Sequence, residues 1–475
     1  MPQVTFYEGG QAPSPRSLRE LRTVTGLGCD VTVVHVPSEA EKVKRLGFKS
    51  RVLPAPVGNP YHARLSEELD RLAGRREILT AHIAEVARQI YAGRDEPDQR
   101  PDSRSVLANL PAQREELNRA KAERAEVAAR MKAIYAARRT PTPLTGGVTF
   151  GDLARLESHW HEAARTIAAT EADVLWAADL NALPPIIWAS HAAVGDAPPV
   201  VFDSHESFTD LAYLPPLYRA AWRAVADRFT PLATVVVTVS DPIAAVLREE
   251  HGAARTLVLP NYAEPATATP SSGLRATVGL RVAAPLAVHI GNVGATRNPT
   301  AAIDLLGDVP DLHFAFVGEA DQAVVSQLRI LAETGGFAER LHFVPAVPAG
   351  ELSGFLAEAD MSVILYTADA SRNLALAMPN KLFDSLAAGV PVVAAAGTAA
   401  ADFLVEHGLG ATFEPALPGG LGSATRAVLA DPAIAARVRA RRSEFVWSAA
   451  EPLLADLLRE LLPAAVEPEP TPQAS

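Results

Sequence analysis

Along this chain, short unbroken apolar runs alternate with stretches of helical periodicity, and most runs end in a polar cluster. An apolar run with no polar alternation predicts a parallel strand covered on both faces. On that basis residues 4–7, 31–36 and 51–53 read as the first three strands, with a helix from Ser17 to Leu27 closed by Gly28. Further strands are expected at 174–177, 200–202, 235–239 and 257–259, and a second series at 286–290, 314–317, 341–344, 362–365 and 390–395. An amphipathic helix is expected at 443–462 and a Pro-rich disordered tail at 467–475. Strands alternating with helices predict doubly wound α/β sheets, two of them here, because the plan restarts near residue 286.

Residues 62–139 break this alternation. Leu65, Leu69, Leu72, Leu79, Ile83, Val86 and Ile90 follow a 4-3 spacing, and Leu110, Leu117, Val127, Met131 and Ile134 continue a 3-4 pattern. Between them lies the turn AGRDEPDQRPDS, and after them a Pro/Gly linker at 140–147. The pattern predicts an antiparallel, coiled-coil-like helical hairpin inserted into the first α/β domain. A self-packed hairpin with solvated charges and a surface for self-association or a partner both fit the spacing.

The 475 residues are 48% hydrophobic and 21% charged, with a net charge of −11. Such a chain buries full cores, and its acidity argues against general nucleic-acid binding. A single cysteine, Cys29, excludes an intramolecular disulfide and a cysteine-based zinc site. No basic-then-apolar leader and no membrane-length apolar stretch is evident, so the expectation is a soluble, cytoplasmic protein without a transmembrane segment.

Candidate chemistry gathers at the ends of the apolar runs. Asp179 follows one, Asp203-Ser204-His205-Glu206 another, and Gly291-Asn292-Val293-Gly294 opens the second half with Arg297 just beyond. In open α/β sheets ligands bind at these carboxyl ends. The segment MPNKLFDSLAAGVPVV, residues 378–393, predicts a helix from about Asn380 to Ala388, entered through Pro379 and stopped by Gly389. Lys381 falls in its first turn, where a cation opposes the helix dipole. A bound anion would resolve that mismatch, and a surface lysine is the alternative. Asp384, one turn on, reads either as a ribose ligand or as a charge complementing the dipole. His205 with its flanking carboxylates suits acid–base chemistry, and no spacing supports a metal site or a serine triad.

In order, AADLNALP (177–184), VFDSHESF (201–208), TVSDPIAAVL with LPN, HIGNVG (289–294), FVGEAD (316–321), MPNKLFDSLAAGVPVV and FVWSAAEPLLADLL (445–458) resemble the retaining GT-B nucleotide-sugar glycosyltransferases. PNKLFD resembles a variant branch of that family's two-glutamate motif. The resemblance implies two Rossmann-like domains facing a cleft. The acceptor domain would span 1–264 with the hairpin inserted at 62–139, and the donor domain 274–442. A closing helix at 443–464 would cross back to the first domain, before the tail at 465–475. It also implies a sugar moved, with retention, from a nucleoside-diphosphate donor to a hydroxyl of a small metabolite or glycan, commonly with no essential metal and no further cofactor. A UDP-sugar is favoured, with GDP- and other donors open.

The same resemblance assigns His205, Arg297 and Lys381 to catalysis. It assigns Gly9, Gly10, Asp179, Glu206, Gly291, Asn292, Gly294, Asn373, Asn380 and Asp384 to donor binding. Two positions depart from the family: Asn292 stands where an arginine is usual, and Leu376 where the first glutamate is usual. A non-catalytic scaffold working through the hairpin and a GT-B sugar-nucleotide epimerase are the alternative functions.

Overall fold

The computed structural model describes residues 1–54, 60–91, 103–139, 150–193, 195–211, 214–267, 269–270, 272–280, 284–294 and 297–462. Two all-parallel sheets organise the chain. The first has the order β3-β2-β1-β4-β5-β6-β7. Its strands are β1 (Gln3–Tyr7), β2 (Asp30–His35), β3 (Lys49–Val52), β4 (Val174–Ala178), β5 (Val200–Ser204), β6 (Val235–Thr238) and β7 (Thr256–Val258). The second has the order β10-β9-β8-β11-β12-β13. It contains β8 (Leu286–Ile290), β9 (His313–Val317), β10 (Leu341–Val344), β11 (Met361–Ile364), β12 (Val392–Ala395) and β13 (Gly410–Phe413). Every residue of the central strands β4, β5, β8, β11 and β12 is buried, which is why each reads as an apolar run, whereas edge strand β3 is exposed throughout. Both sheets reverse their winding beside their first strand, between β1 and β4 and between β8 and β11, and a crevice opens there. This is the GT-B architecture of two Rossmann-like halves.

The sequence-based helix from Ser17 is corrected. The helix is Pro15–Gly26, and Ser14 caps it by accepting from the Ser17 N–H. Pro15 then occupies the first turn, where a missing N–H costs nothing, and Ser17 is fully buried. Strand β13 was not anticipated, because GATF is small, polar and half-exposed on a sheet edge. The single helix expected at 443–462 is instead two short 3-10 turns, Arg442–Phe445 and Trp447–Ala449, followed by a helix at Glu451–Leu461. The interruption comes from Val446, which is extended. Around it Ala263 N–H donates to the Phe445 carbonyl at 2.9 Å and Trp447 N–H to the Ala263 carbonyl at 2.8 Å.

Residues 54–162 with 215–218 form a compact unit of their own. Helices Pro60–Tyr91 and Ser103–Arg139 run antiparallel, because partner numbers fall as residue numbers rise: Glu68 with Arg130, Arg75 with Glu123 and His82 with Glu116. Leu79, Ala120, Val127 and Met131 pack between them. The expected turn at 92–102, the linker at 140–147 and the tail at 467–475 lie outside the described residues. Among those residues no helix is long and apolar enough to cross a membrane.

The end of the described chain returns to the first sheet. Trp447, Ala450, Leu454, Leu457 and Leu458 join the same core as Val4, Phe6 and Leu21. The Trp447 indole N–H donates to Thr23 Oγ1 at 2.9 Å, and the Arg19 guanidinium lies 5.4 Å from its ring centroid. Trp447→Ala is expected to lower stability by about 3–5 kcal/mol, the usual cost of emptying a large aromatic site. Urea unfolding measures it, and an unchanged midpoint would show that the returning segment is not part of this core's cohesion.

Candidate functional site

The first half presents its chemistry at the carboxyl end of β5. Asp203 is its penultimate residue and is completely buried. Arg16, in the first turn of helix Pro15–Gly26, holds it with two hydrogen bonds, Nε to Oδ2 at 3.1 Å and Nη2 to Oδ1 at 3.0 Å. Arg16 Nη1 also donates to the Leu259 carbonyl and to Asn261 Oδ1, and Nε lies 3.1 Å from Glu20 Oε1. A cation at a helix N-terminus is disfavoured by the dipole, and the Asp203 carboxylate compensates it. His205 completes the chain, its Nε2 2.5 Å from Asp203 Oδ2.

The charges follow from this packing. Burial pushes the Asp203 carboxyl up, but Arg16 and His205 outweigh it and hold the group well below the ordinary carboxylate range. Burial alone would lower the His205 imidazole; Asp203, through charge and hydrogen bond, raises it to about 9. His205 is therefore an imidazolium at neutral pH, donating from Nε2. Glu20, desolvated and beside Asp203, is pushed up to about 8 and is a neutral acid at pH 7.

Asp179 follows β4 with φ +73°, a left-handed conformation unusual outside glycine. Its Oδ1 is buried without a hydrogen-bond partner. Burial raises its carboxyl and that of Glu206; Asp179 pushes Glu206 further up, and the charge of His205 pulls both down.

The second half answers from β8 and β11. Gly291 turns the chain after β8 with φ +95°, and a side chain there would come 3.9 Å from Lys381 Nζ. At Gly318, after β9, an added Cβ would sit 2.4 Å from the Gly291 carbonyl oxygen, so both positions need glycine for the loop to lie flat. Helix Asn380–Ala387 begins at Pro379 as its cap residue rather than inside its first turn, and no side chain caps it. Lys381 Nζ bonds His289 Nε2 at 2.9 Å. The ring of Tyr366 faces both cations, 5.6 Å from the Arg297 guanidinium and 5.8 Å from Lys381 Nζ, and its buried hydroxyl has no partner. Among the described residues, no carboxylate lies within 4 Å of the Arg297 or Lys381 cation. Burial, then the charge of Arg297, lowers Lys381 to about 7. Burial raises Asp384 to about 7 against the pull of Arg19 and Lys381.

The two sides face one cleft of about 570 Å³. Of the residues singled out in the sequence, His205, Glu206, Gly291, Asn292, Arg297, Asn373, Asn380, Lys381 and Asp384 line it. Gly9, Gly10, Asp179 and Gly294 stand behind the wall. Gly9 packs against Asn181, Gly10 accepts from the Val36 N–H at 2.8 Å, and Gly294 lies beside Asn292. Asn373 is 4% exposed, and its Oδ1 accepts from the Ser207 N–H at 2.9 Å. That contact, with Ser240 Oγ on the Leu376 carbonyl at 3.0 Å and Arg372 against Asp210 and Glu250, straps the 372–378 segment to the first half. Sequence reasoning missed Arg16, His289 and Tyr366. Arg16 and Glu20 look like an ordinary surface i,i+4 pair, and His289 meets Lys381 only across 92 residues. A histidine inside the buried run LAVHI was the one available signal. Among the described residues, no three His, Cys, Asp or Glu side chains assemble as a metal site.

Residues 287–431 match the model of the family described as glycosyl transferases group 1. No curated protein matches the chain. Solved structures match over nearly its whole length at low identity. Sucrose-phosphate synthase from Thermosynechococcus elongatus is 14% identical, with 98% of this chain and 100% of that one covered at a TM-score of 0.60. HepE of Anabaena, solved in complex with UDP-glucose, is 17% identical over 96% and 99% at 0.60. A glycosyltransferase from Rickettsia africae is 10% identical over 98% and 99% at 0.59. At these identities the likeness establishes the fold.

The raised His205 makes a testable pH signature. A group whose pKa is higher in the folded state stabilises fully below its unfolded pKa and loses that contribution as pH rises through the folded value. Relative to His205→Asn, the wild-type protein should have its largest stability advantage below about pH 6.5 and lose it as pH passes about 9. Urea unfolding of both proteins across this window checks it; a constant difference would mean that His205 is not held charged by Asp203.

Proposed function

We propose that this protein is a retaining glycosyltransferase that moves a sugar from a nucleoside-diphosphate donor, UDP favoured, to an acceptor hydroxyl. One observation carries the reading. Two cations without a carboxylate partner among the described residues, Arg297 and Lys381, stand beside a glycine turn and an uncapped helix N-terminus, across a cleft from a charged histidine. That set suits a diphosphate, since free helix N–H groups and unpaired cations both attract phosphate. The UDP-glucose complex of HepE and the family match over the donor half support the choice of ligand.

The acceptor oxygen attacks the anomeric carbon on the face that the departing diphosphate vacates. The bond to the phosphate oxygen breaks, and that oxygen takes the acceptor's proton. His205 is already protonated, so it is a hydrogen-bond donor to developing negative charge rather than the base. Arg297, Lys381 and the helix N-terminus stabilise the leaving group by preorganised charge. Asp384 and Asn380 are assigned to the donor's ribose side and Glu206 and Asn292 to the sugar, with Asp179 acting on Glu206 through its charge. Residues 274–442 serve as the donor domain and 1–264 as the acceptor domain.

A panel of nucleotide-sugars tested for thermal stabilisation identifies the donor, because a ligand that binds only the native state raises Tm. If no nucleotide or nucleotide-sugar stabilises the protein, the proposal fails. Arg297→Ala and Lys381→Ala should each weaken UDP binding by about 10- to 100-fold, the usual effect of losing a hydrogen bond to a charged group. His205→Ala should lower kcat by about 100-fold with KM little changed. A rise in KM alone would make His205 a binding residue.

A further inference from the structure

We propose that His289 is a positioning residue for Lys381: anchored to the Val363 carbonyl, it accepts a hydrogen bond from the lysine ammonium and fixes it beside Gly291 in the cleft wall. The inference rests on the diphosphate reading above.

His289 is the fourth residue of β8, is 1% exposed, and packs edge-on to Phe316 with ring centroids 5.8 Å apart. Its Nδ1 lies 2.8 Å from the Val363 carbonyl on the neighbouring strand β11. A carbonyl only accepts, so Nδ1 carries the hydrogen and Nε2 is left with its lone pair. Lys381 Nζ, 2.9 Å from that nitrogen, is then the donor. The strand fixes the ring, and the ring fixes the tip of a side chain with four rotatable bonds. A buried strand residue whose two nitrogens are satisfied by one backbone carbonyl and one cleft-wall cation is more than a core filler. Leucine or phenylalanine would fill the same space without any polar group to satisfy.

The charged and titratable groups around Lys381 are His289, Arg297, Asp384 and the Tyr366 ring. Arg297 pushes the ammonium towards the neutral amine and Asp384 favours the charge. Burial and the two cations hold His289 neutral, so it has no second proton to contest the contact. The imidazole lone pair therefore favours the charged lysine in a wall where burial and Arg297 oppose it.

The ligand-free protein tests the contact. The pH dependence of Lys381 acetylation by acetic anhydride, followed on its peptide by mass spectrometry, gives the lysine's midpoint. His289→Leu should lower that midpoint by about one pH unit, and His289→Gln, which keeps an acceptor near the Nε2 position, should restore most of it. UDP titration tests the use. His289→Leu should weaken binding about tenfold, and combined with Lys381→Ala it should weaken binding no further than Lys381→Ala alone. An unmoved lysine midpoint in His289→Leu overturns the inference, as does a double variant whose losses multiply. Should His289→Leu not fold, nitrogen NMR of the wild-type imidazole decides: a proton on Nε2 instead of Nδ1 overturns it. A midpoint that moves while no nucleotide binds establishes the contact and removes the transferase reading.

Discussion

The first half of the cleft depends on one buried cation. Arg16 joins the start of the first helix, the end of β5 and the Leu259–Asn261 exit from the first sheet through one guanidinium. Removing a partner from a buried ion pair leaves an uncompensated charge, which costs far more than the pair contributes. Arg16 therefore favours an ionised Asp203, and ionised Asp203 in turn favours a protonated His205 against the opposing charge of Arg16. Glu20 cannot add a second full negative charge to the same small volume, so it stays neutral at pH 7. The protonation states along this edge follow from a single side chain in a helix's first turn.

The second half has the opposite economy of charge. Lys381 and Arg297 both lie against the Tyr366 ring with no carboxylate within 4 Å among the described residues, and burial and Arg297 push the lysine towards its neutral form against the pull of Asp384. In the proposed reading, a diphosphate arriving between them supplies the missing charge and returns the lysine to the ammonium. Binding at neutral pH should therefore take up a proton. The two halves thus differ in kind: in the first a buried carboxylate pairs with Arg16 and His205 within the chain, whereas in the second burial and a neighbouring cation oppose the charge of Lys381.

Much of this arrangement was legible in the sequence. Buried parallel strands have no exposed face to demand polar alternation, so their apolar runs marked nearly every strand. Polar residues following the runs marked the site, and nine of the thirteen residues singled out line one cleft. What stayed hidden was the pairing behind the wall. Arg16 and Glu20 carry the i,i+4 spacing of a solvent-exposed salt bridge, and nothing local reveals that the helix turns that face inward. The Lys381 contact depends on how two distant strands place a histidine beneath a helix N-terminus. The start of the first helix was hidden for a similar reason: Pro15 reads equally as a loop residue or as a first-turn residue, and only the Ser14 cap on the Ser17 N–H decides it.

The Leu376 position is best understood through the same packing. In the resembling family a carboxylate stands there, and its absence would weaken contact with the donor sugar if this loop still had to read hydroxyls. Here the loop has a different attachment. Ser240 holds the Leu376 carbonyl, Ser207 holds Asn373, and Arg372 pairs with two carboxylates of the first half. A carboxylate added at 376 would enter a segment already committed to joining the two sheets, between the cleft residues Leu374 and Ala377. Polar recognition of the sugar then falls to the opposite side, where Glu206 and Asp179 lie close enough to His205 to share its charge. In the proposed reading the strapping of this loop goes with a division of labour, in which the second half would grip phosphate and the first would contribute the carboxylates.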